Sequence, residues 1–85
     1  MSVYFKSLPQ FYHVIESEKK FIKSVGEKLK EIRLSKSWSQ EGLAIESDVP
    51  RNVIGRLERG ETNVKIVTLH KICNALKISP RELFI

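Results

Sequence analysis

The sequence predicts an all-α fold, and three observations support that prediction. Apolar residues recur three and four positions apart in several segments, which is the spacing of one helix face. Helix start and stop signals flank those segments. No segment shows the sustained alternation of apolar and polar residues that marks a half-buried strand. With 85 residues, the chain forms one small domain, too short for a core that also encloses a catalytic cavity.

The chain is expected to consist of an N-terminal extension, residues 1–20, and a helical domain, residues 21–85. The extension is rich in aromatic residues and has only a weak helical signal. Its segment Ser7-Leu8-Pro9-Gln10 has the form of a capping box with proline in the first turn. A short helix is therefore predicted from about residue 8 to residue 15.

Five helices are predicted for the domain, and the first two are separated by a turn around Trp38. The first helix covers about residues 18–36 and has an apolar face from Ile22 to Ile32. The second begins after Ser39, a good N-cap. It ends before Pro50, because proline disfavours the helical conformation in the residue that precedes it.

The other three helices follow from similar signals. The third is predicted over residues 51–59, with Gly60 as its natural stop. A fourth follows the apolar stripe from Ile66 to Leu76. A fifth begins at Ser79 and Pro80, where an N-cap is followed by proline at the first helical position.

The third predicted helix has two chemically different sides. Each residue lies about 100° further round a helix than the last, so the apolar residues 53, 54 and 57 share the side that must face the core. The other side has no acidic residue, whereas an ordinary solvated face would mix lysine, glutamate and glutamine. Arginine can donate two hydrogen bonds to guanine, and asparagine can pair bidentately with adenine, so this side is typical of a DNA-reading surface. Its members around Gly55 are Arg51, Asn52, Arg56 and Arg59.

Two short helices joined by a tight turn, the second with a basic outer side, predict a helix-turn-helix over residues 40–59. Ala44 supplies the small residue needed where the two helices touch, and Ile54 and Leu57 supply apolar anchors.

The presence of Gly55 within the third helix needs an explanation, because glycine lowers helix stability by roughly 0.8–1 kcal/mol relative to alanine. A close approach of the backbone to DNA and weak sequence optimisation are alternative explanations. The formal charge of +5 favours polyanionic partners, although a domain that merely happens to be basic explains it equally well.

Several segments in register resemble one known family. Val25-Gly-Glu-Lys-Leu-Lys-Glu-Ile-Arg33, Ser39-Gln-Glu-Gly-Leu-Ala44 and Val53-Ile-Gly-Arg-Leu-Glu-Arg-Gly60 closely resemble the Xre-like (Cro/cI-type) helix-turn-helix family. That family includes phage repressors, restriction-modification controller proteins and antitoxins. Residues 68–76 and 79–84 continue the match, so that it covers about residues 21–84 without a gap. The resemblance implies a five-helix lambda-repressor-like domain that binds specific double-stranded DNA and regulates transcription, for example as a repressor.

The resemblance also implies roles for individual residues. Arg51, Asn52 and Arg56 match positions that read base edges. Gln40 could both bond a phosphate and buttress a reading side chain, and Arg59 could reach a phosphate or remain solvated. The full set that matches DNA-backbone positions is Ser39, Gln40, Arg59, Thr62, Asn63 and Lys65.

One matched pair has a structural role. Arg33 and Glu58 match residues that form an internal salt bridge in the family, which would fix the reading helix to the first helix.

Two departures from the family affect the turn between the motif helices. Asp48 stands where the family commonly has glycine, and aspartate tolerates the left-handed conformation. Pro50 replaces the usual Ser or Thr cap of the reading helix, so that a hydroxyl contact to DNA is lost and the cap is left unmade.

A homodimer on a palindromic operator is expected. A single reading helix covers only a few base pairs, and helix-turn-helix dimers place two such helices about 34–36 Å apart on the duplex. The C-terminal residues Leu83, Phe84 and Ile85 are the expected interface, with the aromatic extension adding to it. Folding of the extension back on its own domain is an equally good alternative.

The sequence argues against an enzyme and predicts no cofactor or metal site. His13 and His70 fall on different predicted helices, with no Ser, Cys or Asp at the spacing of a triad or a metal site. Cys73 is the only cysteine and looks like a core residue. No apolar run is long enough to cross a membrane. These features predict a reduced, soluble, cytoplasmic protein.

The competing interpretation is a protein-interaction module. An antitoxin that neutralises a partner toxin would use the same fold and could still bind DNA. The aromatic extension is the feature of the sequence that favours a protein partner.

Overall fold

The computed structural model describes the backbone from Val3 to Ile85 and the side chains from Ile15 onward. The helices in that part of the chain are α1 (Val3–Ser35), α2 (Gln40–Ser47), α3 (Arg51–Glu58) and α4 (Ile66–Leu76), followed by a C-terminal 3-10 helix (Pro80–Leu83). The described residues contain no strand. The all-α prediction is therefore confirmed, with helices where the helix-turn-helix pattern requires them.

The prediction of two separate helices, at residues 8–15 and 18–36, is wrong because one helix runs through both segments. Residues 16–20 are Glu, Ser, Glu, Lys and Lys, and contain neither glycine nor proline, so that nothing there stops a helix. The aromatic side chains at positions 4, 5, 11 and 12 lie outside the described residues. Their expected contribution to an interface stays a prediction.

The predicted fifth helix is a single 3-10 turn of four residues. The Glu82 carboxylate accepts a hydrogen bond from the Ser79 backbone N–H at 3.0 Å, which closes the start of the turn. Leu83 at its end is only 2% exposed. The segment therefore serves mainly to place one leucine in the core.

All four α-helices end in the same way, with a residue in the left-handed conformation. The next residue then donates its N–H to a carbonyl five positions back, as Val49 does to Ala44 at 3.2 Å. Asp48 adopts the left-handed conformation expected of it, with φ 58°. Gly60 is the only glycine among the four, and a β-carbon there would also lie 2.9 Å from the Lys23 Cα of α1. The left-handed residues are Ser37, Asp48, Gly60 and Lys77.

The core lies where the C-terminal half of α1 meets the other helices. Every helix contributes at least one residue that is almost completely buried. These side chains pack against one another, so the core holds α2 and α3 in a fixed relative orientation. Val49, in the three-residue turn between α2 and α3, is also buried. The buried apolar residues are Leu29, Leu43, Val49, Ile54, Leu57, Ile72, Cys73, Leu76 and Leu83.

Close contact between α1 and α3 depends on Gly26. A β-carbon at Gly26 would overlap the carbonyl oxygen of Leu57 and lie 3.1 Å from the carbonyl carbon of Glu58. Both of those atoms belong to the backbone of α3, which cannot move aside as a side chain can. Gly26 therefore sets how near the reading helix lies to α1.

We predict that Gly26→Ala destabilises the domain by about 3 kcal/mol or more, because the new methyl group forces two helix backbones apart. Gly42→Ala is the matched control, since a β-carbon there meets only the Ser39 Oγ atom, at 3.2 Å. Its gain in helix propensity, up to about 1 kcal/mol, is offset by that contact. Urea unfolding measures both variants, and equal stability of the two would contradict the close contact.

Candidate nucleic-acid interface

The two sides of α3 differ in burial as well as in chemistry. Ile54 and Leu57 are 0% and 6% exposed, whereas Arg51, Asn52 and Arg56 all lie exposed on the opposite side. None of the ion pairs among residues with described side chains involves Arg51 or Arg56. The exposed side of α3 thus presents two arginines that form no ion pair within that part of the molecule, although Arg56 lies close enough to Glu61 for its charge to contribute to the lowered pKa of that carboxyl.

A buried ion pair fixes α3 against α1. The Arg33 Nε atom donates to Glu58 Oε2 at 2.6 Å, and Nη2 donates to Oε1 at 3.0 Å, a bidentate geometry. The two side chains are only 6% and 2% exposed. The pair that the resemblance implied is therefore present as a structural contact.

Two further hydrogen bonds extend this pair to α2. Arg33 Nη1 donates to the Trp38 carbonyl oxygen at 2.6 Å, just before α2 begins. Gln40 Nε2, in the first turn of α2, donates to Glu58 Oε1 at 3.0 Å. We call Arg33, Glu58, Gln40 and the Trp38 carbonyl the anchor. No buried side-chain nitrogen or oxygen atom in the described part of the chain lacks a partner, so the anchor is fully satisfied.

The start of α2 is capped and the start of α3 is not. The Ser39 Oγ atom accepts a hydrogen bond from the Gly42 N–H at 2.8 Å, which makes Ser39 the N-cap. The Ser39 hydroxyl hydrogen can still be donated to another acceptor. Pro50 occupies the N-cap position of α3. Its side chain has no oxygen or nitrogen atom that could accept a hydrogen bond, so it caps no backbone N–H group of the helix. Backbone N–H groups in the first turn of α3 therefore lack a side-chain cap, although the N–H of Val53 donates to the Pro50 carbonyl oxygen at 3.0 Å.

Four residues assigned to DNA contacts surround one shallow cleft. Arg56 of α3 faces Thr62, Asn63 and Lys65 of the loop before α4 across a space of about 200 Å³. Lys65 is the N-cap residue of α4 and makes no capping hydrogen bond with its side chain. The structure thus places the loop residues and the reading helix on the same side of the domain.

Arg59 is paired with Glu61, a contact that the sequence analysis missed. Arg59 Nε donates to Glu61 Oε2 at 3.0 Å, and Nη2 donates to Oε1 at 3.1 Å. Both side chains are more than half exposed. The hydrogen bond from Arg59 is the main cause that lowers the pKa of Glu61, and the same bond raises the pKa of Arg59. The sequence does contain a signal for this pair, because Glu61 follows Arg59 by two positions and Gly60 between them allows the chain to turn.

Gly55 is buried beneath side chains of the protein itself. A β-carbon there would lie 3.1 Å from Arg59 Nη1 and 3.6 Å from Gln40 Oε1. The glycine therefore makes room for Arg59 and Gln40 to cross the outer side of α3. This third explanation was not among those drawn from the sequence.

Of the residues considered for catalysis, Cys73 and His70 are placed as ordinary core and surface residues, and the side chain of His13 lies outside the described residues. Cys73 is 2% exposed, and burial raises the pKa of its thiol. His70 is exposed and shares a 3.1 Å hydrogen bond with Asn74. Among the described residues, no group of His, Cys, Asp and Glu is arranged to hold a metal ion. No helix in the described region is both long enough and apolar enough to span a bilayer.

The three C-terminal residues differ in exposure. Leu83 belongs to the core of its own domain, so it cannot supply surface for an interface. Phe84 is 49% exposed and stacks on Phe21 of α1 with ring centroids 5.8 Å apart, and Ile85 is 85% exposed. These rings and Ile66 line an apolar groove of about 280 Å³.

Comparison with known proteins identifies relatives along most of the described domain. The sequence model of the helix-turn-helix family matches residues 29–83. The control protein C.BamHI of Bacillus amyloliquefaciens is 48% identical over 59 residues, which is 68% of this chain and 73% of that protein.

Two solved structures are similar in fold and sequence. The restriction-modification controller protein C.AhdI from Aeromonas hydrophila superposes with a TM-score of 0.72 at 44% identity, covering 74% of this chain and 96% of that one. A transcriptional regulator of the HTH_3 family from Vibrio cholerae superposes with a TM-score of 0.75 at 31% identity, covering 79% of this chain and 38% of that one.

We predict that Glu58→Ala destabilises the fold by about 3–5 kcal/mol, because it leaves a buried guanidinium without its carboxylate. Glu31→Ala is the control, since Glu31 pairs with Lys28 on the surface and is 73% exposed. Its loss should change stability by no more than about 0.5 kcal/mol. Thermal unfolding distinguishes them, and an unchanged melting temperature for Glu58→Ala would be incompatible with the anchor.

Proposed function

The chain belongs to the helix-turn-helix family of DNA-binding transcription regulators, and we propose that it reads a specific DNA site by placing α3 in the major groove. The exposed side of α3 is the observation that supports this mode of binding. Arg51 and Arg56 are free of intramolecular ion pairs in the described region, while the anchor holds the helix that bears them. Exposed arginines on a helix that is held in place suit a protein that binds DNA rather than an enzyme. We place this activity in the cytoplasm.

Three side chains of α3 would contact the bases. Arg51 and Arg56 can each donate two hydrogen bonds to O6 and N7 of a guanine, and Asn52 can pair with N6 and N7 of an adenine. Arg51 and Asn52 lie in the first turn of α3, the end that helix-turn-helix proteins direct at base edges.

The flanking segments would bind phosphates and so fix the register of α3. Ser39 and Gln40 stand at the N-terminus of α2, where the helix dipole favours an anion. Gln40 donates one amide hydrogen to Glu58 and retains the second for a phosphate oxygen. On the other side of α3, Thr62, Asn63 and Lys65 line the cleft shared with Arg56.

Similarity to control proteins favours a controller of restriction-modification genes over an antitoxin. The chain is 48% identical to one such protein and 44% identical to another, and it covers 96% of the second. An antitoxin is the alternative, and the aromatic residues of the extension, residues 1–20, are the feature of the sequence that favours a protein partner.

A homodimer on a palindromic operator completes the proposal. The apolar groove between α1, α4 and the C-terminus offers a surface for a second copy of the chain. Four large apolar side chains are 49–85% exposed in this groove or beside it: Phe21, Ile66, Phe84 and Ile85. The sequence suggested an interface at residues 83–85. We propose that the interface consists of Phe84 and Ile85 together with residues of α1 and α4, and that it does not include Leu83, which is buried.

Selection of bound duplexes from a random DNA pool tests the proposed function. The protein should enrich one site made of two inverted half-sites about one helical turn apart. Failure to enrich any sequence, together with recovery of a tight toxin-like partner in a pull-down, would instead support the antitoxin alternative and contradict the proposal.

We predict different effects for two cationic residues on the selected site. Arg56→Ala should weaken binding by about 1–3 kcal/mol and relax the preference at one base position, because a base contact is lost. Lys65→Ala should weaken binding to all sequences and reduce the slope of log affinity against log salt by about 1. Titrations at several salt concentrations measure both, and an equal loss on specific and random DNA for Arg56→Ala would assign Arg56 to a phosphate.

We predict that sedimentation at micromolar concentration gives about twice the monomer mass of 9.8 kDa. Ile66→Glu should return the protein to the monomer, because a carboxylate cannot be buried in an apolar interface without a partner. Ile45→Glu is the matched control, since Ile45 is 74% exposed on α2 and does not line the groove. A dimer that survives Ile66→Glu would place the interface elsewhere.

A further inference from the structure

The pairing of Arg59 with Glu61 leaves one edge of the guanidinium free. The Nε and Nη2 atoms of Arg59 donate to the two carboxylate oxygens of Glu61 at 3.0 and 3.1 Å. The other edge, formed by Nη1 and the second hydrogen of Nη2, is not used in that contact. An arginine held by one edge can therefore still donate a pair of parallel hydrogen bonds from the other.

Gly55 determines where that free edge lies. The Nη1 atom is 3.1 Å from the position of a β-carbon at Gly55, so the guanidinium rests on the outer side of α3 instead of extending away from it. A helical side chain points toward the N-terminus of its helix, which directs Arg59 over Gly55 toward the first turn of α3. By helical geometry Arg59 projects at about 80° when Arg51 is set at zero, close to the direction of Asn52 at about 100°, although the two residues lie about 10 Å apart along the helix axis. Arg59 thus shares the arc of α3 that faces the bases.

The charge of Glu61 discriminates between the two kinds of DNA acceptor. A carboxylate beside the guanidinium repels a phosphate and so opposes the attraction that Arg59 would exert on it. The acceptor atoms O6 and N7 of guanine carry no formal charge, so they lose much less by the presence of Glu61. The pair is accordingly better suited to a directed contact with a base than to a backbone contact.

We propose that Glu61 is a positioning residue that holds Arg59 across Gly55 and makes Arg59 a further guanine-reading side chain. This inference rests on the proposed function and deepens it, because it replaces the nonspecific phosphate role of Arg59 by a specific one. Glu61 lowers affinity for DNA in general and raises the preference for one sequence.

Binding of Glu61→Gln to the selected site and to a random duplex tests the inference. Because both residues are exposed, the variant should keep the melting temperature of the wild type. Its affinity for random duplex should rise, since one negative charge is removed from the interface. The ratio of specific to random affinity should fall about tenfold, with the loss confined to one guanine of each half-site. Arg59→Ala should lose preference at that same guanine.

Glu41→Gln is the matched control for charge. Glu41 lies exposed in the first turn of α2, beside Gln40, and makes no ion pair among the described side chains. It should tighten binding to both duplexes alike and leave the ratio unchanged. Identical behaviour of Glu61→Gln and Glu41→Gln would overturn the inference, because Glu61 would then act only through its charge.

The double variant Arg59→Ala/Glu61→Gln separates positioning from an independent effect. If Glu61 acts through Arg59, the double variant should have the same ratio as Arg59→Ala alone. A wild type that does not discriminate its site from random DNA refutes the proposed function and this inference together. A wild type that discriminates, with a ratio unaffected by Glu61→Gln, refutes the inference alone.

Discussion

The buried pair between Arg33 and Glu58 is the contact on which the geometry of the interface depends. One guanidinium bonds the carboxylate at the end of α3 and the carbonyl that precedes α2, and Gln40 bonds the same carboxylate from α2. Three helices are thereby fixed to one another at a single point. A buried ion pair contributes little net stability compared with apolar side chains of the same volume, because both charges must be desolvated. The pair mainly fixes the orientation of α3, because two parallel hydrogen bonds between Arg33 and Glu58 allow little rotation of that helix.

The glycines around the anchor serve the same arrangement. Gly26 lets the backbone of α3 approach α1 closely enough for the pair to form, and Gly60 lets the chain leave α3 against Lys23. Gly55 leaves a shallow track over the reading helix for Arg59 and Gln40. At Gly26 and Gly55 the space of the missing β-carbon is used by atoms that pack against the helix, which offsets the local loss of helix propensity, whereas Gly60 lies outside the helix in the left-handed conformation that glycine favours.

The two helices of the helix-turn-helix motif and the two-sided character of α3 could be predicted from the sequence because both follow from local signals. The capping Ser39, the proline at position 50 and the periodic apolar residues act over only a few positions. The pair of Arg33 and Glu58 was suggested only by the resemblance, because 25 positions separate its members. The roles of Gly26 and Gly55 depend on which elements meet in space, and no local pattern encodes that. The pair of Arg59 and Glu61 is local, and its two-residue spacing across Gly60 could have suggested it. The same limit explains Leu83, whose position near the C-terminus suggested an interface while the fold places it in the core.

We propose that the exposed arginines of α3 read guanines in the major groove, and methylation interference is the measurement that distinguishes such contacts from phosphate contacts. Dimethyl sulfate methylates guanine at N7 in the major groove and adenine at N3 in the minor groove. Methylation of guanine N7 within each half-site is expected to block binding, since N7 is one of the two atoms that arginine contacts. Interference restricted to adenine N3, or absent from every guanine of the selected site, would contradict it.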